Sequence, residues 1–142
     1  MADLHFGGSV WFNVDIALRS VDSIYKKEIG ELGLAVVEWY VLRTLYEKDG
    51  QMASRLAEAI GRPATSFTPI LDKIQSKGLI ERQQHTRDRR ALKIYLTPKG
   101  QSLKEEVLAS ADRIEDKIKQ HFSEKDRQAY ESVVANLQTM TT

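Results

Sequence analysis

A mainly α-helical domain carrying a single β-hairpin is what this sequence predicts, and three observations point to it. Apolar residues recur at three-or-four spacing over most of the chain, as in helices with one buried stripe. Between residues 79 and 97 that rhythm gives way to alternation, the period of strands. The breaks hold residue types that end and start helices, above all Gly78 and the pair Thr97-Pro98.

Residues 10–29 make the first predicted helix. Val10, Val14, Ala17, Val21 and Ile24 form one stripe, and Trp11, Leu18 and Tyr25, seven apart, form a second. A helix with two apolar stripes has two things to pack against. A second helix runs from about Ala35 to Tyr46, with Val37, Tyr40, Val41, Thr44 and Leu45 inward, and Lys48-Asp49-Gly50 ends it. A short helix follows from about Gln51 to Ile60, with Met52, Leu56 and Ile60 on one side. Gly61-Arg62-Pro63 is a turn, because Gly suits a helix C-cap and Pro a first helical position. The next helix runs to about Lys77. Pro69 lies inside it and removes a backbone donor, so the helix either kinks there or begins with an irregular turn.

Residues 79–84 read as a strand and His85 to Arg90 as a charge-dense tip. Residues 91–97 read as a second strand, with Leu92, Ile94 and Leu96 on one face and Lys93 and Tyr95 on the other. Thr97 then caps a helix opened by Pro98, and Leu103, Val107, Ala111, Ile114 and Ile118 carry it to about Gln120. Ser123 caps the last helix, with Glu124 and Asp126 in its first turn and Tyr130, Val133, Val134, Leu137 and Met140 as its apolar face.

Composition narrows the function. A chain of 142 residues with 42% hydrophobic residues has the length and the core for one domain, residues 1–142. No run approaches the roughly 18 apolar residues of a membrane helix, and the N-terminus lacks a signal-peptide pattern, so a cytoplasmic protein is expected. Cysteine is absent, which excludes disulfides, thiolate metal sites and cysteine nucleophiles. His5, His85 and His121 are scattered, and no His/acid cluster suits a metal. Phe6-Gly7-Gly8-Ser9 lacks the Lys and preceding strand of a phosphate loop. No nucleophilic triad stands out either. An enzyme, a cofactor and a metal are therefore not expected.

The formal net charge of +1 conceals a basic middle. Residues 1–50 carry five Lys/Arg against eight Asp/Glu, residues 51–100 ten against four, and residues 101–142 six against eight. The local net charges are thus −3, +6 and −2. A solvated basic face and a nucleic-acid footprint both fit that pattern, and the order of elements separates them. Helix, short helix, three-residue turn, helix, strand, charged tip and strand make a winged helix-turn-helix with a two-stranded wing. The second helix of such a pair lies in the major groove. The hairpin tip reaches a neighbouring minor groove, whose negative potential attracts Arg. Fold does not fix function, so a winged-helix protein-interaction or RNA-binding module without operator specificity is the alternative, and the basic wing favours DNA.

Residues 51–61 (Gln51-Met52-Ala53-Ser54-Arg55-Leu56-Ala57-Glu58-Ala59-Ile60-Gly61), residues 71–82 (Leu71-Asp72-Lys73-Ile74-Gln75-Ser76-Lys77-Gly78-Leu79-Ile80-Glu81-Arg82), Asp88-Arg89-Arg90 and Leu96-Thr97-Pro98-Lys99-Gly100 together resemble the MarR family of bacterial transcriptional regulators. The resemblance is best over residues 34–100. It implies a winged-helix DNA-binding core there, with residues 9–30 and 101–140 as dimerisation helices. It also implies a homodimer, most simply a repressor, on a pseudo-palindromic operator of double-stranded DNA. Thr65, Ser66 and Thr68 stand where the family's recognition helix faces bases and phosphates; helix capping is the structural alternative for Thr65. Arg62 and Lys73 suit phosphate contacts or simply a solvated face. In the wing, the resemblance sends Arg90 into the minor groove with Asp88 holding its guanidinium, and gives Arg87 and Arg89 phosphate contacts.

Two departures concern α-helical capping: Ala35 stands where the family commonly has Thr, and Glu38 where it commonly has Gln. The family often binds a small ligand that weakens DNA binding. Trp11, Phe12, Asp15, Arg19, Trp39 and Arg43 are candidates by position for a small aromatic effector. Core packing for the aromatics and solvated salt bridges for the charges are the competing reading.

Overall fold

The computed structural model describes residues 3–85 and 87–140, and of His85, Asp88, Arg89 and Arg90 the backbone alone. A 3-10 turn at Phe6–Gly8 leads into helix α1 (Val10–Gly30), followed by α2 (Val36–Glu47), β1 (Gln51–Met52) and α3 (Ala53–Ala59). A second 3-10 turn, Ala64–Ser66, runs into α4 (Phe67–Ser76). The strands β2 (Ile80–His85) and β3 (Asp88–Leu96) form the hairpin, and α5 (Pro98–Ser102), α6 (Lys104–Lys119) and α7 (Glu124–Gln138) complete the chain. The mainly α winged helix expected from the sequence is the fold observed.

Local chemistry sets most of the boundaries. Thr97 Oγ1 accepts from the Gly100 amide at 3.0 Å and Pro98 begins α5, while Ser123 Oγ accepts from the Asp126 amide at 3.1 Å to start α7. Helix α3 ends at Gly61, whose φ of +67° lets Arg62 N–H reach the Ala57 carbonyl at 2.8 Å and Gly61 N–H the Glu58 carbonyl at 3.1 Å. Gly78 ends α4 in the same way, with bonds from Gly78 to Gln75 and from Leu79 to Ile74.

Several expectations need correction. The wing has three strands, in the order β1-β3-β2 and all antiparallel. Gln51 and Met52, expected to start a helix, pair with Ile94 and Lys93 along the other edge of β3. That pairing is prepared next door, where Asp49 Oδ1 accepts from the Leu96 amide at 2.9 Å. Gln51 Nε2 caps α2 by donating to the Thr44 and Lys48 carbonyls. The expected tip is shorter than six residues: Asp88, Arg89 and Arg90 have strand backbone, and His85 pairs with Asp88. The helix expected from Pro98 to Gln120 is broken at Leu103. There the Gly100 carbonyl takes the Tyr46 hydroxyl at 2.7 Å and the Leu103 amide, three residues on, in place of a bond four residues on.

The core lies where α2, α4, α6 and the sheet meet. Leu42, Leu45, Leu56, Ile74, Ile94 and Ile114 are among its fully buried members. On α2 the buried face is Glu38, Trp39, Val41, Leu42 and Leu45. It is rotated from the expected stripe because α1, α6 and α4 all pack against this helix. Trp39 Nε1 donates to Ser110 Oγ at 3.0 Å, and that hydroxyl donates to the Val107 carbonyl, so the buried indole and hydroxyl are both satisfied. Helix α1 buries only Ile29, and α7 buries none of its residues. Val10, Trp11, Val14, Leu18, Val133, Leu137 and Met140 are exposed.

Candidate nucleic-acid interface

The irregular first turn expected from Pro69 is present. Residues 64–66 are 3-10, and α4 begins at Phe67, so Pro69 occupies the third helical position. An amide there is one of the unpaired donors of a helix start, so its loss breaks no interior hydrogen bond. Phe67, Leu71 and Ile74 turn inward and are buried. That fixes the opposite face: Arg62, Thr65, Ser66, Thr68 and Lys73 are all exposed, on or just before one helix. Ser66 Oγ donates to the Pro63 carbonyl at 3.1 Å, so this hydroxyl steadies the 3-10 turn and keeps acceptor capacity outward.

The hairpin is fastened to that helix at its root. Arg82 on β2 bridges Asp72 at 2.7 Å, and its Nε donates to Gln75 Oε1 at 2.7 Å, both on α4. Its side chain is 25% exposed, so Arg82 is a structural cation. Arg87 is exposed at the hairpin end. The side chains of Asp88, Arg89 and Arg90 lie outside the described residues, and with them the expected Asp88–Arg90 pairing.

The six effector candidates do not converge on one cavity. Trp39 is in the core, with Tyr25 edge-on at 5.6 Å and the Arg43 guanidinium 4.5 Å from its ring centroid. Trp11 is 87% exposed, Phe12 packs on Phe6, and Asp15 bridges Arg19 at 3.0 Å along α1. Arg43 alone of the six lines an open cleft of about 680 Å³, with Tyr40, Thr44, Glu47, Glu58 and Gln138. A second hollow of about 470 Å³ between α1, α6 and α7 is walled by Val21, Tyr25, Ile118, Phe122 and Tyr130. Burial, helped by Glu115, pushes the Tyr25 hydroxyl up to about 12, and the hydroxyl donates to that carboxylate at 3.3 Å.

The sequence did not reveal a further tie at the other end of α4. Lys77 Nζ reaches Glu38 Oε1 and the Gly33 carbonyl. The one signal for it was the acid standing where the resemblance expects Gln. Among the described residues no group of three or more His, Asp or Glu is arranged for a metal, and no helix is long and apolar enough to cross a membrane.

The MarR family model matches residues 34–92. A probable transcriptional regulator from Pseudomonas aeruginosa superposes with a TM-score of 0.84 at 22% identity, over 94% of this chain and 99% of that one. The transcriptional repressor CouR, solved bound to a 23-mer DNA duplex, superposes at 0.83 with 23% identity, over 96% and 99%. BpsR of Bordetella bronchiseptica, whose DNA binding is regulated by 6-hydroxynicotinic acid, superposes at 0.86 with 18% identity, over 99% and 100%. At these identities the structures establish the fold.

Proposed function

We propose, from a chain whose residues 34–92 match the MarR family model, that this protein is a transcriptional regulator and a sequence-specific reader of double-stranded DNA. In this reading it acts in the cytoplasm as a homodimeric repressor on a pseudo-palindromic operator. One observation carries the reading: an exposed row of short hydroxyls and cations along the start of α4, beside a basic hairpin tied to the same helix through Arg82. Short hydroxyls and a helix start suit phosphates and base edges in the major groove. Arg62 and Lys73 supply phosphate contacts, and Thr65, Ser66 and Thr68 face the groove. In the wing, Arg90 enters the minor groove with Asp88 holding its guanidinium, and Arg87 and Arg89 contact phosphates. The DNA-bound relative CouR supports this assignment.

Two faces support the dimer. The Val10/Val14 stripe of α1 and the Val133/Leu137/Met140 stripe of α7 are apolar and uncovered on one chain. A twofold pairing through them brings two reading helices to spacings of about 34–36 Å, one turn of the duplex. In this proposal residues 1–142 are one unit, with residues 34–100 reading DNA and residues 9–30 and 101–140 pairing the subunits. A small aromatic acid is proposed as the releasing effector. Arg43, between Trp39 and the open cleft, offers a cation beside Tyr40, and the regulation of BpsR by a hydroxylated aromatic acid supports the class.

The test is selection of bound fragments from genomic DNA, followed by a salt titration on the fragment recovered. Enrichment of one imperfect palindrome, with affinity falling steeply as salt rises, is expected. Equal affinity for operator and random duplex, or preference for RNA, refutes the reading. A thermal-shift screen of aromatic acids in which none raises the Tm refutes the effector class.

A further inference from the structure

Lys77 caps the C-terminal end of α4. Its Nζ donates to the Gly33 carbonyl at 2.8 Å and to Glu38 Oε1 at 2.6 Å. Gly33 lies in the α1–α2 junction. Glu38 stands in the first turn of α2, where Oε1 also accepts from the Ala35 amide at 2.7 Å. This carboxylate is 2% exposed, and among the described residues its Oε2 is buried without a hydrogen-bond partner. A buried carboxylate so poorly satisfied depends on the ammonium beside it, so the contact is harder to break than an exposed ion pair. Lys77 is also gripped from the far side, where its carbonyl accepts from Lys99 Nζ at 3.0 Å.

Phe67, Leu71 and Ile74 seat α4 on the core, but apolar burial is non-directional and leaves rocking of a ten-residue helix weakly opposed. A charged hydrogen bond at one end supplies the missing direction. We propose that Glu38 and Lys77 are positioning residues: they lock the end of the reading helix to the α1–α2 junction, so that α1 sets the direction in which α4 points. The use made of this lock rests on the DNA-reading function proposed above, whereas the lock itself can be measured without DNA. Its consequence for a dimer is that half-site spacing is dictated from α1 through Lys77, with neither residue touching a base.

The chain has no cysteine, so two introduced ones take spin labels cleanly. Exposed Lys27 on α1 and exposed Ser76 on α4 are the sites, as Lys27→Cys and Ser76→Cys, with labelled chain diluted in unlabelled chain so that only distances within one chain are read by pulsed electron resonance. The parent is expected to give a narrow distance distribution. Lys77→Met is expected to broaden it at least twofold. The double variant Glu38→Gln/Lys77→Met removes the buried charge while keeping an oxygen for the Ala35 amide. It is expected to melt near the parent temperature and still show the broad distribution. A folded double variant as narrow as the parent overturns the proposal.

On the selected operator, one base pair inserted between half-sites should weaken the parent at least tenfold and the double variant less than threefold. Broad distances with spacing discrimination intact would overturn the link from lock to spacing. A parent that binds no duplex would overturn the DNA reading and leave the distance result standing.

Discussion

Arg82 offers the sharpest separation of contact from architecture. Replacing it with Met keeps an unbranched apolar stem of similar reach and removes the guanidinium. Two interactions vanish: the bridge to Asp72 and the hydrogen bond to Gln75, each 2.7 Å. Asp72 is 56% exposed, so solvent screens the bridge and holds it to about 0.5–1 kcal/mol. The bond to the neutral amide contributes about 0.5–1.5 kcal/mol. Arg82→Met should therefore destabilise the fold by about 1–2.5 kcal/mol, a fall in Tm of roughly 3–10 °C for a domain of this size.

The effect on DNA should carry a different signature. If Arg82 only holds the hairpin to α4, its loss frees the wing and weakens operator binding several-fold without removing a phosphate contact. A plot of log affinity against log salt then shifts down with unchanged slope. Arg62→Ala is the counterpart, for it removes a proposed phosphate contact and should shrink the slope by about 0.9 per half-site. The assay is fluorescence anisotropy on a labelled operator at four salt concentrations, beside a thermal melt. A slope reduced as much for Arg82→Met as for Arg62→Ala would mean that Arg82 leaves Asp72 for the backbone on binding, and the structural role would be wrong.

Four further outcomes are expected. Arg90→Ala should cost about 1–3 kcal/mol in operator affinity with the melt unchanged, and unaltered affinity rejects its minor-groove role. Gly100→Ala puts a Cβ 2.1 Å from the Leu79 carbonyl oxygen, a backbone atom that cannot step aside. A loss of about 1–3 kcal/mol is expected in chemical denaturation, and a neutral result would show that α5 can slide. Leu137→Glu sets a charge in the uncovered face of α7 and should yield monomers in sedimentation with unchanged helicity, whereas a persistent dimer places the interface elsewhere. Glu28 is held below the usual carboxylate range by the hydrogen bond from Lys117, with Arg113 adding to it against a smaller desolvation effect. That contribution is present above the unfolded value of about 4.3 and is lost as pH falls through the lowered one. The stability gap between the parent and Glu28→Gln in urea melts should therefore hold from neutral pH down to about 4.3 and narrow as the pH falls further; a gap that stays constant on acidification denies the bridge any role.

What the sequence made legible was local chemistry. Gly61, Gly78, Thr97-Pro98 and Ser123 mark boundaries because the capping hydrogen bonds they make span only a few residues. The exposed row from Thr65 to Lys73 was legible only through the family resemblance, and the structure sets it opposite the buried Phe67, Leu71 and Ile74. What stayed hidden was set by partners far along the chain. Two residues have no period, so β1 could be found only through Ile94 and Lys93. The break at Leu103 follows from a Tyr46 hydroxyl on another helix. Trp39 reads as a ligand-facing aromatic until Ser110 is seen to satisfy its indole. Glu38 looks like a surface acid until Lys77, in a different element, is found beside it.

These distant pairings change the meaning of the basic middle. Ten Lys/Arg between residues 51 and 100 suggest a face built to attract phosphate. At least two of them are ion-paired inside the protein: Arg82 with Asp72, and Lys77 with Glu38. They sit at the two flanks of the reading helix, one toward the wing and one toward α1. A cation neutralised by its own carboxylate releases no counterion from DNA, so the salt slope per subunit must fall short of the count of basic residues. The same two residues act against the entropic cost of docking, Arg82 by holding the hairpin to α4 and Lys77 by holding α4 to the α1–α2 junction before the duplex arrives. Basicity in this segment therefore divides between gripping DNA and shaping the head that grips it: Arg82 and Lys77, both half-buried, are ion-paired within the chain, while in the proposed reading the exposed Arg62 and Lys73 face the duplex.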